Sequence, residues 1–260
     1  MTVLETRSLS KYFGGLKAAE DISFEIGEGL IYGLIGPNGA GKTTVFNCIS
    51  CFYSLDKGEV LFRGENITNL GPHDIPKKGI ARTFQNLELF TEMSVMENLL
   101  VAQHLKFKYG LFMSCLKLPV FKQEERKALE KAENILNFLG LQVVSNTLVK
   151  NLPYGTRKLI EIGRALMLEP QILLLDEPVS GMNSSESDEI SGLIQKIREQ
   201  FHLTVFMVEH NMGVVMNICD YIYVMDHGEK LAEGTPIEIQ NNPVVIEAYL
   251  GKGFNCNETK

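Results

Sequence analysis

No stretch of this chain holds eighteen uninterrupted apolar residues, so no segment is expected to cross a bilayer as a helix. Even the apolar tract 111–121 is short and interrupted by Lys117. The opening residues lack a basic segment followed by an apolar one, so no secretory leader is expected. Basic charge is also scarce. With 25 Lys and Arg against 32 Asp and Glu, the formal net charge is -7, which disfavours broad binding to nucleic acid or acidic lipid and serves solubility. Cysteine is sparse and unpatterned: positions 48, 51, 115, 219 and 256 form an odd set without framework spacing, which suits a reducing cytosol. Cys48 and Cys51 have C-x-x-C spacing, yet no second pair completes a zinc site, so they are read as structural thiols. Internal repeats, low-complexity tracts and long linkers are absent as well. What remains is a 260-residue chain, 45% hydrophobic and 22% charged. That is enough to bury the core of one large domain or two.

Against that background one run stands out: Gly36, Pro37, Asn38, Gly39, Ala40, Gly41, Lys42, Thr43 and Thr44. It fits the phosphate-binding pattern G-x-x-x-x-G-K-[ST] and follows the apolar segment 30–35, which reads as a buried strand. Glycines let the backbone bend so that successive N–H groups point at an anion. A helix predicted from about Lys42 adds the positive end of its dipole. Lys42 is expected to reach the β- and γ-phosphates and the Thr43 hydroxyl to hold Mg²⁺. The cofactors expected are therefore ATP and Mg²⁺.

The first 80 residues read mostly as strands and turns. Residues 22–26 alternate, 27–29 turn, and Val60, Leu61 and Phe62 follow a break at Gly58. From Met93 to Leu168 the pattern becomes helical. Within 122–139, Ala128, Leu129, Ala132, Ile135, Leu136 and Leu139 fall on one face, with Gly140 at the C-cap position. Beyond it, the short strand 172–175, a helix bearing Ile190, Leu193, Ile194 and Ile197, and the strand 203–208 alternate, which implies a parallel sheet with helices on its faces. The expected fold class is α/β: a phosphate-loop core with a parallel sheet, an antiparallel β lobe and a helical lobe. The expected layout is a single domain over 1–260, with its core at about 1–90 and 167–250, a helical lobe at about 91–166 and a tail at 251–260, of which 254–260 is expected to be disordered.

Residues 172–178 form an apolar strand ending in Asp176 and Glu177. Parallel sheets bind ligands at the carboxyl ends of their strands, so both carboxylates should emerge beside the phosphate loop. Asp176 suits Mg²⁺ held through its water shell, and Glu177 could orient and deprotonate the attacking water. His210 follows the next strand and should share that edge, contacting the γ-phosphate. Gln85, after a short strand, has no inherent chemistry of its own.

These residues resemble the ATP-binding cassette superfamily, with its motifs in order over nearly the whole chain. The family signature Leu-Ser-Gly-Gly-Gln corresponds here to Leu152, Pro153, Tyr154, Gly155 and Thr156. By resemblance Phe13 would stack on adenine, with Tyr12 as the alternative. Gln85 would link Mg²⁺ to a membrane-facing lobe, and His210 would be the switch histidine. Residues 180–183 would cross a dimer interface, and 152–156 would complete the nucleotide site of a partner. A closer similarity, carried by residues 11–15, 82–86, 96–102, the insert through about 125 and the ending 242–251, is to the larger ATPase subunit of branched-chain amino acid importers. Urea and other amide importers have similar ATPases.

The resemblance implies an ATPase on the cytoplasmic face of the inner membrane, bound peripherally. Its partners would be a second ATPase subunit, as a heterodimer or homodimer, two permease subunits and, indirectly, a solute-binding protein, with no nucleic acid. A coupling groove would involve Gln85, Leu87, Leu89, Phe90, Met93, Val95 and Met96, with core packing as the competing role for each. Pro153, Thr156 and Asn183 depart from the family's Ser, Gln and Asp, which implies two unequal sites. Two rival readings are a soluble cassette ATPase acting on ribosomes, nucleic acid or cluster assembly, and a nucleotide-binding regulator with negligible turnover.

Overall fold

The structure is a computed structural model that describes residues 1–105 and 119–250. Cys115, Cys256, the tail 251–260 and all but the end of the 106–121 insert lie outside the described residues. The strands in chain order are β1 (Thr2–Phe13), β2 (Leu16–Gly27), β3 (Ile31–Ile35), β4 (Lys57–Phe62), β5 (Glu65–Asn66), β6 (Ile80–Arg82), β7 (Ile172–Asp176), β8 (Thr204–Val208), β9 (Tyr221–Asp226) and β10 (Glu229–Gly234). The helices are α1 (Lys42–Ile49), α2 (Ile75–Lys78), α3 (Val95–Val101), α4 (Pro119–Phe138), α5 (Tyr154–Leu166), α6 (Ser184–Phe201), α7 (Met212–Ile218), α8 (Pro236–Gln240) and α9 (Pro243–Leu250). Among the described residues no helix is long and apolar enough to cross a membrane. The chain divides into two compact units, Met1–Ile75 with Gln171–Lys260, and Pro76–Pro170.

The first unit holds an antiparallel sheet in the order β2-β1-β4-β5 and, in its second sheet, strands in the order β10-β9-β3-β8-β7. Strand β3 pairs in parallel with both β8 and β9, and β7 pairs in parallel with β8. Every residue of β3, β7 and β8 is buried. Continuous apolar runs are what a parallel strand covered on both faces requires. Phe206 of β8 knits the layers together. Its ring lies 5.4 Å from Phe24 of β2 and 4.9 Å from Phe46 of α1. Phe46 is fully buried, and its truncation to alanine is worth about 3–5 kcal/mol. Gly58 is a correction. It lies within β4, opposite the extra residue of β1 between Arg7 and Ser10, instead of breaking the chain before the strand, with φ 82 and a built Cβ that would sit 2.4 Å from the Arg7 carbonyl. Cys48 and Cys219 are buried free thiols and Cys51 is half-buried. Desolvation pushes Cys48 up to about 12.

In the second unit, α4 buries Ala128, Ala132, Ile135 and Leu136, with Leu139 beyond its end, whereas Leu129 is 37% exposed. Leu129 falls at the margin of the apolar stripe, where a helix turning about 100° per residue carries it past the buried face. Gly140 takes φ 69 just after the helix, the left-handed step that ends helices readily only at glycine. Helix α3 begins with a capping box between Ser94 and Glu97. The apolar segment expected in the coupling groove divides: Val95 is core, Leu87, Leu89 and Met96 are half-buried, and Phe90 (47%) and Met93 (37%) are exposed.

Candidate functional site

The site is built where parallel strands end. Leu34 of β3 and Asp176 of β7 both lie in register with Val208 of β8. The Glu177 amide donates to the Val208 carbonyl at 3.0 Å. The segments that follow these strands therefore leave the sheet at one edge. After β3 comes the phosphate loop. A Cβ on Gly36 would sit 2.1 Å from the Met225 carbonyl, and one on Gly41 would sit 2.1 Å from the Ala18 carbonyl. Gly41 also has φ 98. The loop is thus wedged between β9 and β2 at a distance only glycine permits. A hydrogen bond from the Gly228 amide to the Ala40 carbonyl at 3.1 Å fixes its middle.

Helix α1 starts at Lys42 with no side-chain cap on its first turn and no acidic residue there. By contrast, α3, α6 and α8 all carry capping boxes with a glutamate. The open amides and the positive dipole end of α1 suit an anion. Asn38, Gly39 and Thr43 are exposed at this end, and Thr44 is half-buried. Lys42 is 7% exposed, and its Nζ donates to the carbonyls of Gly36 at 2.7 Å and Pro37 at 2.9 Å. Burial lowers its ordinary pKa, opposed by the negative charges of Glu177 and Asp176. The lysine therefore arrives with neutral acceptors only, and its charge is available for a more strongly anionic partner.

Asp176 is buried at the end of β7. Glu177 follows in the left-handed region, φ 48, a conformation that is strained for a non-glycine residue and concentrates at functional sites. His210 Nδ1 lies 3.8 Å from Glu177 Oε1, too long for a direct hydrogen bond. The first unit thus brings together the loop, Lys42, Thr43, Asp176, Glu177 and His210. Among the described residues no three His, Cys, Asp or Glu side chains form a metal cage. A single buried carboxylate and a loop hydroxyl beside a phosphate cradle fit Mg²⁺, which binds through one or two carboxylates, phosphate oxygens and water.

Sequence reasoning missed Glu209. It is fully buried, and its Oε1 accepts from Val179 N at 3.0 Å while its Oε2 accepts from His210 N at 3.1 Å and Asn211 N at 3.3 Å. One carboxylate therefore ties the segment after Glu177 to the backbone of His210. A charged residue directly after the apolar strand 204–208 was the available signal. Phe13 is 42% exposed, with Tyr53 edge-on at 5.2 Å and Lys11 Nζ 5.4 Å from its ring. Tyr53, exposed as well, was also missed. The backbone amide of Tyr12 is engaged by Asp56 at 2.7 Å, and its hydroxyl lies 3.4 Å from Glu20.

Gln85 and residues 152–156 belong to the second unit. Gln85, Pro153 and Tyr154 are exposed, Gly155 and Thr156 half-buried and Leu152 buried. Pro153 occupies the N-cap of α5 and supplies no side-chain hydrogen bond. Asn183 caps α6 and forms a capping box with Glu186.

Residues 19–180 match the ABC transporter family, and residues 229–255 match a segment described as branched-chain amino acid ATP-binding cassette transporter. The chain is 46% identical over 250 residues to the high-affinity branched-chain amino acid transport ATP-binding protein LivG of Salmonella typhimurium, covering 96% of this chain and 98% of that protein. BraF of Pseudomonas aeruginosa, which bears the same description, is 44% identical with the same coverage. A crystal structure of a nucleotide-free ATP-binding cassette from an ABC transporter superposes with a TM-score of 0.84 at 36% identity, over 97% of this chain and 100% of that one. The chain belongs to the ABC transporter family, among its ATP-binding proteins.

Proposed function

We propose that this chain is the ATP-hydrolysing subunit of an importer for branched-chain amino acids, bound peripherally to separate membrane permeases. The observation that carries the reading is the convergence of an uncapped glycine-rich helix start, Lys42, Asp176 and Glu177 at one sheet edge. The solute class is supported by the match of residues 229–255 and by the relatives that cover the chain.

The amides of Gly39, Gly41 and the first turn of α1 would cradle the phosphates, with Gly36, Asn38, Ala40 and Thr44 completing the loop. Lys42 would turn from the Gly36 and Pro37 carbonyls to the β- and γ-phosphates, gaining a charge-assisted partner. Thr43 and Asp176 would hold Mg²⁺, which when bound neutralises charge on the phosphates. Glu177 would orient and deprotonate the attacking water, with His210 beside it on the γ-phosphate side. Phe13 presents its ring for adenine, and Tyr53 supports that ring edge-on.

Leu152, Pro153, Tyr154, Gly155 and Thr156 would close over the nucleotide of a second cassette. With Pro153 in place of a hydroxyl donor and Thr156 in place of an amide, that composite site would be weaker than the one built on this chain's own loop, so the pair is a heterodimer with unequal sites. ATP hydrolysis by the assembled transporter should rise when a binding protein loaded with leucine, isoleucine or valine is added, and nucleotide should be occluded at one site in preference to the other. Stimulation by urea or amides alone would reject the solute class. Equal occlusion at both sites would reject the asymmetry.

A further inference from the structure

Helix α5 carries charged side chains where an ordinary amphipathic helix would bury apolar ones. Lys158, Glu161 and Arg164 recur every third residue, which places them along one face. Lys158 and Glu161 form an ion pair at 3.1 Å, and both side chains are 1% exposed. Their remaining valence goes to one residue in a distant part of the unit's sequence. Glu161 Oε1 accepts from the Phe84 amide at 2.8 Å, and Lys158 Nζ donates to the Phe84 carbonyl at 3.0 Å. Arg164, one turn further on, donates to the Glu88 carbonyl. At the other end of the helix, Arg157 donates to the carbonyls of Leu152 at 2.8 Å and Lys150 at 2.7 Å.

One helix thus grips two segments by their backbones. Leu152 opens the signature, and Phe84 and Glu88 flank the exposed Gln85. Asn98 of α3 completes the hold on the second segment: it accepts from Phe90 N at 2.9 Å and donates to Phe90 O at 3.0 Å. Because every grip is on main-chain atoms, the segment 84–90 is fixed in shape while the side chains of Gln85, Glu88 and Phe90 stay exposed.

We propose that the Lys158–Glu161 pair is a positioning device that clamps the Gln85 segment to the helix carrying the signature, so that signature and Gln85 move as one body. This rests on the transport reading above, since it assigns the route by which nucleotide-driven movement of residues 152–156 reaches the Gln85 face. An ion pair suits the task. Phe84 offers one donor and one acceptor, and the pair answers both with charge-assisted bonds while cancelling its own charge. A buried pair contributes little net stability compared with apolar replacements. Its yield here is fixed geometry at one residue.

The test compares Glu161→Gln, Glu161→Ala and the double variant Lys158→Met/Glu161→Leu. Glu161→Gln keeps an acceptor for the Phe84 amide. The double variant removes both charges without leaving one buried alone, so it folds even if Glu161→Ala does not. In the assembled transporter, solute-stimulated ATP hydrolysis should fall about tenfold in Glu161→Ala and the double variant, a loss typical of a broken coupling. KM for ATP should stay within about twofold, because nucleotide contacts are untouched. In the isolated full chain, amide exchange across 84–88 should rise about tenfold or more, with thermal unfolding of the double variant unchanged. Glu161→Gln should retain most of the stimulation. The clamp is refuted if the double variant shows wild-type stimulation and wild-type exchange at 84–88. It is equally refuted if kcat and KM worsen together in step with lost stability. If the unmodified complex shows no solute-stimulated hydrolysis, the transport reading fails, and exchange at 84–88 alone decides the clamp.

Discussion

The phosphate loop of the first unit and the Gln85 segment of the second are both irregular backbone that must keep a fixed shape, and they keep it by opposite means. The loop is held by close approach. Two glycines sit where a Cβ would collide with the Met225 or Ala18 carbonyl, and the lysine within it contacts only neutral carbonyls. The Gln85 segment is held at arm's length by charged side chains from α5. The first arrangement leaves amides and a cation open for a ligand. The second engages the backbone of Phe84, Glu88 and Phe90 and leaves the side chains of Gln85, Glu88 and Phe90 exposed. A site that binds a polyanion and a segment that transmits a movement need those opposite economies of hydrogen bonding.

Substitutions in the two regions should have unequal consequences. Glu177→Gln should lower kcat for ATP hydrolysis by about 10²–10⁴-fold, the usual worth of a positioned base, while ATP binding persists. Normal single-turnover rates would remove Glu177 from that role. Lys42→Ala should weaken ATP binding itself by about 1.5–3 kcal/mol, the range for a hydrogen bond to a charged group, as read by equilibrium titration.

Glycine substitutions separate the two units. Gly41→Ala meets the Ala18 carbonyl and a φ of 98, so denaturant unfolding should show a loss of about 1–3 kcal/mol. Gly155→Ala in α5 meets nothing within 4 Å, and the gain in helix propensity should stabilise the fold by up to about 1 kcal/mol. Equal effects at both positions would erase the distinction.

The smallest effect is in pH. Lys42 has its pKa lowered chiefly by burial, against the pull of Glu177 and Asp176. A bound phosphate adds negative charge and raises that pKa again. Over the interval between the two values, binding takes up a proton, and affinity falls as pH rises through it. Calorimetry in buffers of different ionisation heat should register that uptake in the alkaline range and lose it in Lys42→Ala.

Much of the first unit was legible because its residue types carry their chemistry openly. A glycine-rich run after an apolar strand, and two carboxylates ending another, fix by their order where they should meet. The structure puts Lys42, Asp176, Glu177 and His210 at one edge, as that order implied. Glu209 escaped notice because its role is to join the amides of its neighbours His210 and Asn211 to that of Val179, thirty residues away; the charge after an apolar strand was visible, but the remote partner was not. Lys158 and Glu161 escaped for a related reason. In a helix of mixed residues, charge reads as a solvated face, and only packing against Phe84 reverses the sign of that inference. Leu129 failed in the other direction, an apolar residue at the margin of a stripe whose centre is already filled by Ala132 and Ile135. Tertiary partners, not periodicity, decide such marginal positions.

Everything proposed for this chain requires that residues 36–44 cradle a nucleotide polyphosphate against a magnesium ion held from Asp176. Isothermal titration of the full chain, alone and in its native assembly, with ATP and magnesium reads that contact. Saturable heat whose midpoint moves to at least about tenfold higher ATP in Lys42→Ala, and which shrinks when magnesium is omitted, is the predicted result. No heat of binding in either preparation, or equal binding by Lys42→Ala, would contradict it.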